Sequence, residues 1–163
     1  MKRALLASLF VFAIAIAGKA QTSGAHFFSV DATVTSNGDL SISFDEAGLG
    51  NGDINYTASA AAEAFYGCIN GGGNHPQATN KESVQAQTST GGTFKAKNGR
   101  VSGTLVLPVP PPPADFSCPG GQIAVLASVT YTGAILTDST SGVSVEQADM
   151  TGTFSRTFFT FRK

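Results

Sequence analysis

Oxygen donors gather in one short stretch of the chain, Asp45-Glu46-Ala47-Gly48-Leu49-Gly50-Asn51-Gly52-Asp53. Asp45, Glu46, Asn51 and Asp53 are the residue types that calcium takes, a hard cation that wants roughly six to eight oxygens. The stretch lacks the spacing of a calcium hand, which closes on a bidentate glutamate. Acids in a glycine-rich loop also serve simply as solvated caps of turns, and that plainer role is the expected one. The glycines at 48, 50 and 52 lack phosphate-loop spacing, and no helix follows to offer its N-terminus.

His26 and His75 are the two histidines of the chain. An ordinary zinc site needs further ligands beyond them. A serine triad needs one of them as base, and no Gly-x-Ser-x-Gly elbow is present to carry the nucleophile. Eleven acidic residues offer many carboxylate pairs for glycoside hydrolysis, too many to single one out. Sugar-binding modules stack their ligands on aromatic rings, yet the chain has no tryptophan and three tyrosines. Tyr56 and Tyr66 share a strand face, but it is the face expected to be core. No catalytic signature emerges.

Cys68 and Cys118 are the two cysteines. They are expected to form one disulfide, closing a loop of about 50 residues and stabilising the fold by about 4 kcal/mol on a chain-entropy argument. The pairing fits an oxidising compartment, and the N-terminus points the same way. Lys2-Arg3 is followed by an apolar run from Ala4 to Ala17 and by Gly18-Lys19-Ala20, which reads as a secretory signal over residues 1–20. The run is shorter than the ~20 residues that span a bilayer. No membrane span is expected in the mature chain, which should be secreted, extracellular or periplasmic. Loss of Lys2, Arg3 and Lys19 leaves seven basic residues against eleven acidic ones. That balance argues against nucleic acid or an anionic membrane as partner.

The elements that must position these residues repeat with period two. Phe28, Val30, Ala32 and Val34 alternate with polar residues, an Asn37-Gly38 turn follows, and Leu40, Ile42 and Phe44 resume. Ile54 to Cys68 is alanine-rich, yet its period-two face predicts one long strand rather than a helix. Lys81 to Thr90 is a further strand, Gly91-Gly92 is expected to turn the chain, and Phe94 to open a short strand. Asn98-Gly99 is a second tight turn, and Val101 to Leu107 returns. Ile123, Val125, Ala127, Val129 and Tyr131 are expected to point inward from the next strand. Val143–Val145 and Thr151–Phe161 close the chain. Eight or nine strands without a helix predict an all-β, antiparallel two-sheet β-sandwich, immunoglobulin-like or Greek-key, in a single domain over residues 21–163.

Prolines at 108 and 110–113 cannot join a central strand. With Gly91-Gly92 as a turn, Leu107 would end at the pole opposite Cys68. The segment to Ser117 would then be a stiff strap that crosses back over the sandwich, ~30 Å for ten polyproline residues.

Phe27-Phe28 and Phe158-Phe159 raise the question of an interface. Neighbours on a strand face opposite ways, so one ring of each pair leaves the core. If the outward rings share a surface, they form an apolar patch.

Asp45-Glu46-Ala47-Gly48-Leu49-Gly50, Cys68-Ile69-Asn70-Gly71-Gly72-Gly73, Asn80-Lys81-Glu82 and Val129 with Tyr131-Thr132 together resemble a group of small exported bacterial proteins. These are single-domain and carry two cysteines in such contexts. The resemblance covers nearly all of Phe27 to Phe159. It implies export, one domain and a bacterial source, which would leave the glycosylation triplet Asn55-Tyr56-Thr57 idle, and it carries over no catalytic residue. The expected function is a non-enzymatic sandwich that binds or structures an extracellular or envelope partner. The alternative is a carbohydrate-active protein, a sugar-binding module or a hydrolase. A third reading is a subunit of a surface assembly.

Overall fold

The computed structural model describes residues 24–72 and 81–160. The expected leader, residues 1–20, and His75 lie outside these. Nine strands are described: β1 (His26–Val34), β2 (Leu40–Ala47), β3 (Asp53–Asn70), β4 (Lys81–Lys95), β5 (Arg100–Leu107), β6 (Gln122–Asp138), β7 (Val143–Glu146), β8 (Thr151–Thr153) and β9 (Ser155–Thr157). A single 3₁₀ turn, Gln147–Asp149, follows β7. The first sheet has the order β5-β2-β1-β8, and the second β4-β3-β6-β7 with β9 also on β6. The fold is thus the expected all-β two-sheet sandwich. One pair departs from antiparallel: β8 lies parallel to β1.

Period two fills the interior between the sheets. Val30, Ala32, Val34, Leu40, Ile42 and Phe44 from the first sheet meet Ile54, Tyr56, Ala58, Ala60, Ala62 and Ala64 from the second. The alanine stretch is strand, within an 18-residue β3, and its inward methyls are all buried. Phe44 sits at the centre of a ring cluster, 4.5 Å from Tyr56, 5.5 Å from Phe94 and 6.2 Å from Phe27 between centroids. The Phe44 pairs with Phe27 and Phe94 are edge-on, and pairs of that kind add about 0.5–1.5 kcal/mol beyond burial.

Three bulges break the alternation. Phe28 is an extra residue in β1, so Phe27 turns inward and Phe28 is 70% exposed, the reverse of the sequence expectation. Gly133-Ala134 is the second, in β6, where Gly133 takes φ 61°, a region glycine enters without strain. Ala127 is the third. It resets β6, so that Leu126 packs on the core while Ile123 is exposed and Val125 only half-buried.

Gly91-Gly92 is not a turn. Both glycines stay in β4, paired with Thr57 and Tyr56. Gly92 has no side chain because a Cβ there would lie 3.0 Å from the Phe94 ring and 3.1 Å from Leu105. The turn comes later, at Asn98-Gly99, where both residues have positive φ as a two-residue hairpin requires. One reversal fewer changes the strap. β5 runs toward the Cys68 end rather than away from it, and Leu107 pairs with Leu40 instead of reaching the far pole.

The proline run therefore continues onward instead of crossing back. Pro108 O accepts from Thr88 Oγ1 at 3.1 Å, Pro110 O from Tyr66 Oη at 2.6 Å, and Val109 donates its N–H to Asp39 Oδ1. Val109 and Phe116 pack on the core from this strap. β3 outlasts the strands facing it, and the strap covers what they leave bare. Its far end is pinned by the Cys68–Cys118 disulfide, with Cα atoms 5.7 Å apart. Among the described residues no helix is long and apolar enough to cross a membrane.

Candidate functional site: a sealed acid pair and an open polar groove

Inward alternation from Leu40, Ile42 and Phe44 continues one step further, to Glu46. Its side chain is completely buried against the second sheet, where Tyr56 Oη donates to Glu46 Oε2 at 2.7 Å. The same parity in β6, from Leu136, brings in Asp138, also completely buried. Asp138 Oδ1 accepts the N–H groups of Thr140 at 2.7 Å and Ser141 at 3.0 Å, which fixes the carboxyl in the turn to β7. The two carboxyls come from opposite sheets, and Asp138 is near enough to act on Glu46.

Burial raises Glu46 to about 7, helped by the charge and hydrogen bond of Asp138; the Tyr56 hydrogen bond and His26 oppose the rise. Burial foremost, and then Glu46, push the Tyr56 hydroxyl far above its ordinary range. A glycosidase keeps its two acids some 5–10 Å apart with substrate between them. These two are both completely buried, which leaves no room for a sugar between them. Above them a cleft of about 190 Å³ is lined by Gly50, Asn51, Gly52, Asp53, Ile54, Thr140 and Ser141.

The four calcium candidates are therefore divided. Asp45 and Glu46 are not in a loop but on β2, facing opposite ways. Asp45 points outward in a two-pronged pair with Arg100, both contacts 2.6 Å, and the guanidinium holds its carboxyl below the usual range. Glu46 points inward, while Asn51 and Asp53 line the cleft. Among the described residues no three His, Cys, Asp or Glu side chains form a metal-holding group. His26 is exposed, its Nδ1 bonded to the Gly24 carbonyl at 2.7 Å.

The interface candidates are divided as well. Phe27 is in the core against Phe44 and Tyr56. Phe28 lies outside under the Arg100 guanidinium, 5.1 Å from its ring centre. Phe158 packs on the core beneath Arg156, and Phe159 bonds through its N–H to the Ala127 carbonyl. Ala127 is level with Phe65 and Tyr66 on β3, about 30 Å along the strand from Tyr56, near which Phe28 begins. The outward rings share no patch.

A second feature, which carries no motif in the sequence, lies on the outer face of the second sheet. The Gly133-Ala134 and Ala127 bulges bracket the stretch of β3 from Ala61 to Phe65. Bulges strengthen the local twist, and between them the sheet is hollowed into a groove of about 410 Å³. Gln85, Glu63 and Thr130 stand in one cross-strand row, and Gln87, Ala61 and Thr132 in the next. Ala61 is the floor, because it alone of the outward residues in these rows ends at Cβ. Outward alternation of Gln, Glu and Thr was the available signal; the bulges that gather them were not legible.

Comparison of the chain with family models, with curated proteins and with solved structures returned no match.

Proposed function

We propose that this chain is an exported, non-enzymatic binding module whose ligand surface is the concave outer face of the second sheet. The observation that carries the reading is the groove over Ala61. Its volume falls in the range of small-ligand sites, about 300–1,000 Å³. Its walls combine two amides, two hydroxyls and one carboxylate. Such a wall takes a polar ligand along its length, with Glu63 receiving a hydroxyl or amine donor. The groove lining includes no aromatic ring and a single acid. That composition supports binding over both ring-stacked sugar recognition and two-acid hydrolysis. The signal-like residues 1–20 and the formed disulfide support export.

The test is binding of the mature protein to immobilised glycans and to envelope fractions. Ala61→Trp fills the floor of the groove, and Glu63→Ala removes its charge. Binding should vanish in the first and weaken in the second, with melting temperatures unchanged. Equal binding by Ala61→Trp would place the ligand surface elsewhere.

A further inference from the structure

We propose that Glu46 and Asp138 share one proton and so form an acid-favoured latch between the two sheets. Both carboxyls are completely buried, and they come from opposite sheets, β2 and β6. Each has one oxygen, Glu46 Oε1 and Asp138 Oδ2, for which no protein donor is in reach. Every other polar requirement of the pair is met: Tyr56 supplies Glu46 Oε2, and two backbone N–H groups supply Asp138 Oδ1. Two acceptor oxygens left over on adjacent acids are satisfied together by a single hydrogen. A hard cation would need several more oxygens than the two that remain.

Among the surrounding groups Asp138 favours that proton, while the Tyr56 hydrogen bond and His26 oppose it. From β3 comes neutral Tyr56. From the start of β1 comes His26, whose field at Glu46 is the weakest of the influences on it. Asp45 is on the other face of β2 and bound to Arg100, and Asp53 lines the cleft outside. Among the described residues no lysine or arginine side chain pairs with either buried acid. Removing the proton leaves two like charges in a buried interface, which costs the folded state stability. The loops that would yield are those flanking the cleft, 50–52 and 140–141.

The folded state keeps the Glu46 proton up to pH about 7, whereas the unfolded chain releases it near 4.5. Between these values the native state binds more protons, so stability falls as pH rises and levels off above the upper one. Urea unfolding of the intact chain from pH 4 to 8 reads this directly. The folded-to-unfolded ratio should drop by about two powers of ten across the window. Glu46→Gln keeps an acceptor for Tyr56 and offers N–H donors to Asp138, so its profile should flatten. At pH 8 it should be more stable than the wild type. A wild-type profile that is flat or rising, or a Glu46→Gln profile parallel to it, overturns the latch. If the variant fails to fold, infrared spectroscopy of the wild type decides. A protonated-carboxyl band persisting at pH 6 supports the shared proton, and its absence refutes it.

Discussion

The two ends of the sandwich are closed by different means. At one end two sheets face each other, and rings and acids of both interlock: Phe27 and Phe44 with Tyr56 and Phe94, Glu46 with Asp138. At the other end β3 and β6 outrun the first sheet, and the proline strap lies where partner strands would be. The first end depends on packing and on one proton. The second depends on a covalent pin and on a few hydrogen bonds to a segment that has no ladder of its own. A single long strand, β3, thus belongs to two differently held structures, and each should fail under a different stress.

Breaking the pin is expected to have the largest effect. Reduction, or replacement of both Cys68 and Cys118 by serine, should lower unfolding free energy by about 4 kcal/mol, measured in urea. Amide hydrogen exchange should localise the loss. Protection should fall around Tyr66 and Ala127 and persist at Tyr56 and Ile42. A uniform fall along β3 would show that the ends are one cooperative body.

Raising the pH stresses the other end. Glu46 alone should take away about 3 kcal/mol between pH 4.5 and 7, since each pH unit in that window removes ~1.4 kcal/mol. The sharper measurement combines the two stresses. Tyr56 and Cys68 are about 40 Å apart along β3, and distant sites add to within about 0.5 kcal/mol. The cost of reduction should therefore be the same at pH 5 and pH 8. A larger cost at pH 8 would mean that the latch and the strap support one another through the strand.

Much of this arrangement is legible in the sequence, and what is not has a common cause. The strands, the alanine stripe of β3, the Asn98-Gly99 hairpin and the Cys68–Cys118 bond all follow from period, turn chemistry and cysteine arithmetic. Bulges do not, because one extra residue in a strand leaves no mark in its composition. Phe28, Ala127 and Gly133-Ala134 each reverse a face that strict alternation assigns. Gly91-Gly92 misleads for the opposite reason: glycines placed for space, beneath Phe94 and Leu105, have the appearance of glycines placed for a turn. Glu46 is the instructive case at the site. Its neighbours 45–53 look like a solvated loop, but the count from Phe44 puts it inside. Its partner is 92 residues away, a pairing that topology alone makes.

Steric tolerance should also divide the ends. A Cβ on Gly103 would fall 2.7 Å from the Phe94 ring and 2.8 Å from Phe44, rings already in edge contact. Gly103→Ala should cost about 2 kcal/mol by overpacking. Gly120, beyond the pin, has open space where its Cβ would be, and Gly120→Ala should change stability by less than about 0.5 kcal/mol. Thermal melts of the two variants make the comparison, and equal losses would contradict it.

The smallest effect distinguishes the ends most finely, since each has a tyrosine whose hydroxyl can be removed without altering the ring. Tyr66→Phe takes a donor from the Pro110 carbonyl, a bond worth about 1 kcal/mol net. That loss should be the same at pH 5 and pH 8, because a backbone carbonyl does not titrate, and it should loosen the strap enough to speed its proteolysis. Tyr56→Phe takes a donor from Glu46 Oε2 instead. Its bond favours the ionised carboxylate, so removing it makes Glu46 hold its proton more tightly. The falling limb of the stability profile should then extend to higher pH than in the wild type, and the cost of the substitution should grow from acid to alkaline conditions. Two hydroxyls with pH-independent costs would show that no ionisable group governs the sealed end, and the distinction between the ends would reduce to the disulfide.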